Sequence, residues 1–444
     1  MSFLTKCDEA KPTCEYCRCT RKECVYQNSD YQTGALWLDV IKKESLVNSP
    51  SLLMGLSRFE LRLLHFFDNY CILQFTFGVN LKLDKVWRCS VPPLFRRSQM
   101  VRNAIFLYSC INMWPLCEVE ELFLADQKQY DLNISVSPQI GLIKDALKAL
   151  STFEREPSLP ESLDLYTRTL GYFSDLIKNT QDMLLDPLRL ASDSFTASEL
   201  MITSIILYLF LWLHPHKLLP ILLEESSLKN ELKPETTDFI SVCRSLLNAR
   251  DLLLSSLSRT EFRAIVETPR KVPLLFKKHK FAIIVQLEKD LEIYYEDKKD
   301  MDGLCYEEIE TIRKSLDLLA SEFYHTATLN YPLFLFRWPL RLPQLFDELL
   351  RNRHFFALRV YFQYSCIVTA AGFYLYQQLN MWIDYMKWFR DYNMKVYGDW
   401  IYSKDQYFYK LVTERQYRLP AGGLGCLYDF DPELVLSMLD IDMN

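Results

Sequence analysis

Met100-Val-Arg-Asn-Ala-Ile-Phe-Leu-Tyr-Ser-Cys-Ile111 sets Met100, Val101, Ala104, Ile105, Tyr108 and Ile111 at helical intervals along one stripe. Such spacing gathers apolar side chains on one face of a helix that turns every ~3.6 residues. A half-buried strand would need apolar residues at every second position, and this stretch does not alternate that way. The same signature recurs on both sides. Upstream, Ser57-Arg-Phe-Glu60 is a capping box, in which serine and glutamate side chains satisfy each other's backbone N–H groups. Leu63, Phe66, Phe67 and Tyr70 follow it at helical spacing. Downstream, Ser137-Pro138 predicts an N-cap and first helical residue, with Ile140, Ile143, Leu147 and Leu150 on one face. Thr196-Ala-Ser-Glu199 reads as the cap of an apolar run from Leu200 to Leu213. Further helical patterns cover 238–257, 281–296, 306–325, 345–351, 355–379 and 381–395.

Prolines punctuate these stretches, at Pro92-Pro93, Pro187, Pro215, Pro234, Pro273, Pro339 and Pro343, as helix boundaries require. Glycine is scarce, 11 in 444 residues against a usual share of ~7%. That shortage argues against turn-dense β architecture and against glycine-rich phosphate loops. The predicted fold class is therefore all-α: a large helical domain behind a small cysteine-rich segment. The composition divides the chain into a cysteine segment at 1–26, a linker at 27–55, a helical body at 56–420, and a glycine-rich joint with an acidic-hydrophobic tail at 421–444. No fixed repeat and no sustained heptad run is visible.

Charge and compartment narrow the function. The formal net charge is −6, so the chain as a whole is no polyanion binder, and nucleic-acid contact needs a local patch. The start, Met1-Ser-Phe-Leu-Thr-Lys6, lacks the features of a signal peptide. The run from Leu200 to Leu213 is short of the ~20 residues that span a bilayer, which predicts a buried helix and no membrane span. Of 13 cysteines, five lie within the first 24 residues: Cys7, Cys14, Cys17, Cys19 and Cys24. The others are scattered singly, which suits reduced core cysteines in an intracellular setting. There a dense cluster points to metal.

The cluster reads Cys7-x6-Cys14-x2-Cys17-x6-Cys24. Thiolates are soft ligands that suit zinc, and four of them complete a tetrahedral site. Pro12 stiffens the intervening loop. The segment resembles the later two-thirds of the fungal zinc-cluster (Zn₂Cys₆) DNA-binding module, whose middle reads K-C-D-x-x-x-P-x-C. Lys6-Cys7-Asp8, Pro12, Cys14, Cys17 and Cys24-Val-Tyr26 match in register. The resemblance implies that Cys7, Cys14, Cys17 and Cys24 hold zinc, with Cys19 as an alternative ligand, and that Lys6 belongs to the stretch that contacts DNA. It departs from the pattern in front of Cys7, where the family has two more ligands, so the match is to an N-terminally truncated module. Within 1–30, five basic residues face five acidic ones, and phosphate affinity scales with the phosphates neutralised. Two readings stand: a zinc-cluster regulator shortened at its front, or a remnant that no longer binds DNA.

Zinc-cluster regulators carry a large helical regulatory domain. Residues 56–111 and 345–388 resemble the sterol-uptake-regulator type of that domain. The resemblance implies a nuclear RNA polymerase II transcription regulator that binds DNA and coactivators and senses a hydrophobic molecule such as a sterol; a homodimer stays open. Fifteen aromatics crowd the segment from Phe355 to Trp400, and they could line a pocket or fill a core. After Arg418 no basic residue occurs. Asp429, Asp431, Glu433, Asp440 and Asp442 interleave with Leu434, Leu436, Met438 and Ile441 there, which reads as an activation segment or a last docked helix. Enzyme signatures are absent from the sequence: no Walker loop, no G-x-S-x-G, no H-E-x-x-H. His214-Pro-His216 has no nearby carboxylate or cysteine in sequence to make it a metal pair. The chain reads as a non-enzyme.

Overall fold

In the computed structural model, the residues described are 54–76, 80–114, 161–186, 190, 192–213, 220–222, 238–258, 260–266, 281–296, 305–329, 332–371, 380–419 and 424–441. Helix covers 86% of these residues and no strand occurs among them, so the fold is all-α. The main helices are α1 (Arg58–Phe66), α2 (Val91–Arg97), α3 (Gln99–Met113), α4 (Glu161–Leu184), α5 (Ser194–Leu213), α6 (Phe239–Leu257) and α7 (Ala282–Glu296). They continue as α8 (Cys305–Leu329), α9 (Gln344–Arg351), α10 (Phe355–Ala371), α11 (Met381–Tyr397), α12 (Ser403–Tyr409) and α13 (Pro432–Ile441). The chain divides into two compact units, Met1–Leu61 and Arg62–Asn444. Of the first, only 54–61 are described. They include the capping box: Ser57 N–H donates to Glu60 Oε2 at 2.7 Å and Glu60 N–H to Ser57 Oγ at 3.2 Å.

In the second unit, local chemistry sets most helix starts. Ser98 Oγ accepts from Val101 N–H at 3.0 Å, and Asp238 Oδ1 accepts from Ser241 N–H at 2.8 Å. Asn380 Oδ1 accepts from both Trp382 and Ile383 N–H at 3.0 Å. Pro92 and Pro93 open α2, where a proline costs no helical hydrogen bond. At the end of α11, Gly398 takes φ +81°, the left-handed turn that stops a helix.

Two sequence expectations are corrected. The apolar helix begins at Ser194, so Thr196 lies inside its first turn. Asp193 is the capping group: its Oδ1 accepts from Phe195 N–H at 3.0 Å and its Oδ2 from Thr196 N–H at 3.2 Å. The helix is thus 20 residues, long and apolar enough by length and composition to cross a bilayer, yet 89% of its apolar window is buried in the helical body. Helix α4 matched no predicted segment, although Leu165, Thr169, Leu176 and Thr180 form a buried stripe at helical spacing. The predicted helix at Ser137-Pro138 lies outside the described residues, as do 372–379 of the segment expected at 355–379.

Helix α3 packs against α4 and α5, α5 against α6, and α10 against α11. Because α5 is covered by α2, α3, α4 and α6, it needs no polar face. The described part of the Phe355–Trp400 aromatic block goes into the core. Tyr361, Tyr364 and Trp382 are fully buried and join Trp212 of α5 and Trp338, with Trp212 and Trp382 ring centroids 4.4 Å apart. The C-terminal segment docks on its own domain. Tyr428 stacks on Phe281 at 4.6 Å, Phe430 packs on Phe408, and α13 lies against α12.

Fully buried Arg359 of α10 joins three helices: its Nη2 donates to Asp290 of α7 at 2.6 Å and its Nε to Asp405 of α12 at 2.7 Å. It also lies 3.5 Å from the Tyr402 ring centroid. Burial works against its charge, but the two carboxylates outweigh that and push its pKa up. Arg359→Met should cost about 3–5 kcal/mol, because it leaves two buried carboxylates facing each other. Urea unfolding checks this, and a loss under ~1 kcal/mol would contradict it. Gly171 sits exposed inside α4, and an added Cβ there meets nothing within 4 Å. Gly171→Ala should therefore stabilise by about 0.5–1 kcal/mol, and a lower unfolding midpoint would contradict the helix assignment.

Candidate functional site

The predicted metal ligands Cys7, Cys14, Cys17 and Cys24, and the predicted DNA contact Lys6, lie outside the described residues, as does the His214–His216 pair. Among the described residues no group of three or more His, Cys, Asp or Glu side chains is placed to hold a metal. Described cysteines are free thiols: Cys71, Cys110, Cys243 and Cys366 are buried, and Cys89 is exposed. Burial pushes the thiols of Cys71, Cys243 and Cys366 up, which keeps them protonated and unreactive.

The cavity lies elsewhere than the aromatic block. It has a volume of about 290 Å³, near the lower end of the ~300–1,000 Å³ range for small-molecule sites. One wall is the face of α5 with Met201, Ile205, Tyr208 and Leu209, and Leu246 and Leu247 of α6 form the next. Phe75 and Trp87 close another side, their rings stacked with centroids 4.1 Å apart. Trp87 sits on a π-helical turn, Val86–Ser90, whose wider backbone changes the direction of the side chain. The last wall is the segment Pro332–Arg341, which contributes Phe334, Phe336 and Leu340. None of the fifteen Phe355–Trp400 aromatics lines it, which corrects that block as a candidate pocket.

The Pro332–Arg341 wall is tied down by polar contacts. Tyr208 OH donates to the Phe336 carbonyl, Tyr364 OH to the Leu335 carbonyl at 2.8 Å, and Trp338 Nε1 to the Ser315 carbonyl at 2.9 Å. Glu322 of α8, with no solvent exposure, accepts through Oε1 from Arg337 Nη2 at 3.1 Å and from Arg341 Nη1. Both arginines line the cavity. Arg337 also lies over the Phe334 ring, 4.8 Å from its centroid. Burial pushes the pKa of neighbouring His325 down, with Glu322 acting the other way, so at neutral pH this histidine adds no charge.

Ser204 presents the remaining polar group on the α5 wall. Its Oγ is buried and has no hydrogen-bond partner in the structure. An apolar chamber with an orphan hydroxyl and two guanidiniums at its edge can hold an amphipathic molecule. Sequence periodicity did not reveal this chamber, because its walls come from segments more than a hundred residues apart. The one local sign was a pair of arginines, Arg337 and Arg341, four residues apart in an apolar stretch.

No known protein family, curated protein or solved structure matches this chain.

If Ser204 Oγ lacks a partner in the ligand-free protein, Ser204→Ala removes an unsatisfied buried group. It should raise ligand-free stability by up to about 1 kcal/mol. A clear loss of stability by denaturant titration would show that the hydroxyl is satisfied.

Proposed function

We propose that the chain is a transcription regulator of the fungal zinc-cluster type, acting in the nucleus on RNA polymerase II genes. Its helical body takes up a hydrophobic small molecule such as a sterol. The observation that carries the DNA-binding half is the spacing Cys7-x6-Cys14-x2-Cys17-x6-Cys24, with Lys6, Asp8 and Pro12 in register. Four thiolates at those intervals suit one tetrahedral zinc, which would fold the segment around itself. The apolar cavity between α5, α6 and Pro332–Arg341 supports the ligand half. For coactivators, the last helix leaves Leu434 and Met438 exposed, one turn apart, in a stretch without basic residues.

A second reading rests on charge. The balance of five basic against five acidic residues in 1–30 gives the segment little purchase on phosphate, and a helical ligand- or protein-binding module without DNA binding fits that balance.

Metal content and DNA selection on the full chain separate these readings. The proposal expects about one zinc per chain. Cys14→Ser with Cys17→Ser should abolish that zinc, and a defined sequence should be enriched from a random DNA pool. Zinc without DNA enrichment establishes the second reading. A zinc-free chain whose metal content ignores both substitutions overturns the zinc-cluster assignment.

A further inference from the structure

We propose that the cavity between α5, α6 and Pro332–Arg341 binds an anionic amphiphile, a chain carboxylate whose head sits at Arg337 and Arg341. This rests on the reading of the cavity as a ligand site and adds the chemical class.

The argument is one of charge and shape. Two guanidiniums line the cavity and no acidic side chain does. The nearest carboxylate, Glu322, approaches both arginines through the single oxygen Oε1. One carboxylate against two guanidiniums leaves one unit of positive charge at this edge. A neutral sterol would leave that charge unanswered, whereas a carboxylate balances it. Each guanidinium has five N–H donors in a planar fork that matches a carboxylate, so Glu322 does not exhaust the set. The contacts that hold the segment keep the donors in place before any ligand arrives, which lowers the entropic cost of binding.

The rest of the chamber suits a hydrocarbon chain. Met201, Ile205, Leu209, Leu246 and Ile265 offer aliphatic surface, and the Phe75–Trp87 stack adds a flat aromatic face. The volume of about 290 Å³ is modest, which favours a slim chain over a fused-ring skeleton. The unpartnered Ser204 hydroxyl gives a second polar handle.

The test uses decanoate, decanol and cholesterol on the full chain, read by Trp fluorescence and thermal shift. Decanoate should bind about tenfold or more tightly than decanol, the usual size of a charge-assisted hydrogen-bond gain. Arg341→Gln should erase that preference while decanol binding persists. Should Arg341→Gln fail to fold, Glu322→Gln serves: removing the opposing charge should strengthen decanoate binding and leave decanol unchanged, which a purely structural role would not do. Decanol or cholesterol binding as tightly as decanoate overturns the anionic class but leaves an apolar ligand site. Failure of all three to bind overturns the ligand site as well.

Discussion

A carboxylate with no solvent exposure must be paired, and Glu322 of α8 is paired by Arg337 and Arg341. Leaving such a charge unpaired inside a protein costs several kcal/mol, so the pairing dictates where Pro332–Arg341 lies. The hydrogen bonds of Tyr208, Tyr364 and Trp338 to backbone carbonyls fix the same region from α5 and α10 and onto α8. The wall opposite α5 is therefore held by specific polar contacts rather than by apolar packing alone. That rigidity lets a chamber persist between helices whose side chains would otherwise close on it.

The core and the cavity use the apolar surface of α5 in different ways. Trp212, near its C-terminal end, meets Trp382 and Phe336 and belongs to the solid core. Met201 and Ile205, nearer the middle, face the chamber. A second ionic cluster, Arg359 with Asp290 and Asp405, clamps α10 to α7 and α12 without lining the cavity. Two buried charge groups thus serve separate purposes: one holds helices together, and the other also presents cations to the chamber.

Much of the helical framework was legible in sequence because its signals are local. The Ser57–Glu60 box, the Met100–Ile111 stripe and the segments around 239–257, 282–296 and 381–397 follow spacing and capping rules that act within a few residues. Thr196 misled because Asp193, three residues earlier, offers a carboxylate that takes two backbone N–H groups. Helix α4 escaped notice because threonines occupy part of its buried stripe, so the apolar count alone was low. The aromatic block pointed to a pocket by composition, yet its described rings pack on one another. The cavity itself needed tertiary structure, since only the fold brings Trp87, Ile205, Leu246 and Arg341 together.

Hydrogen exchange on the full chain, with and without decanoate, tests the central claim most directly. Bound carboxylate should slow exchange in α5 around 201–209 and in Pro332–Arg341, and leave α12 and α13 as they were. Protection confined to other helices, or none at saturating decanoate, would contradict a carboxylate site at Arg337 and Arg341.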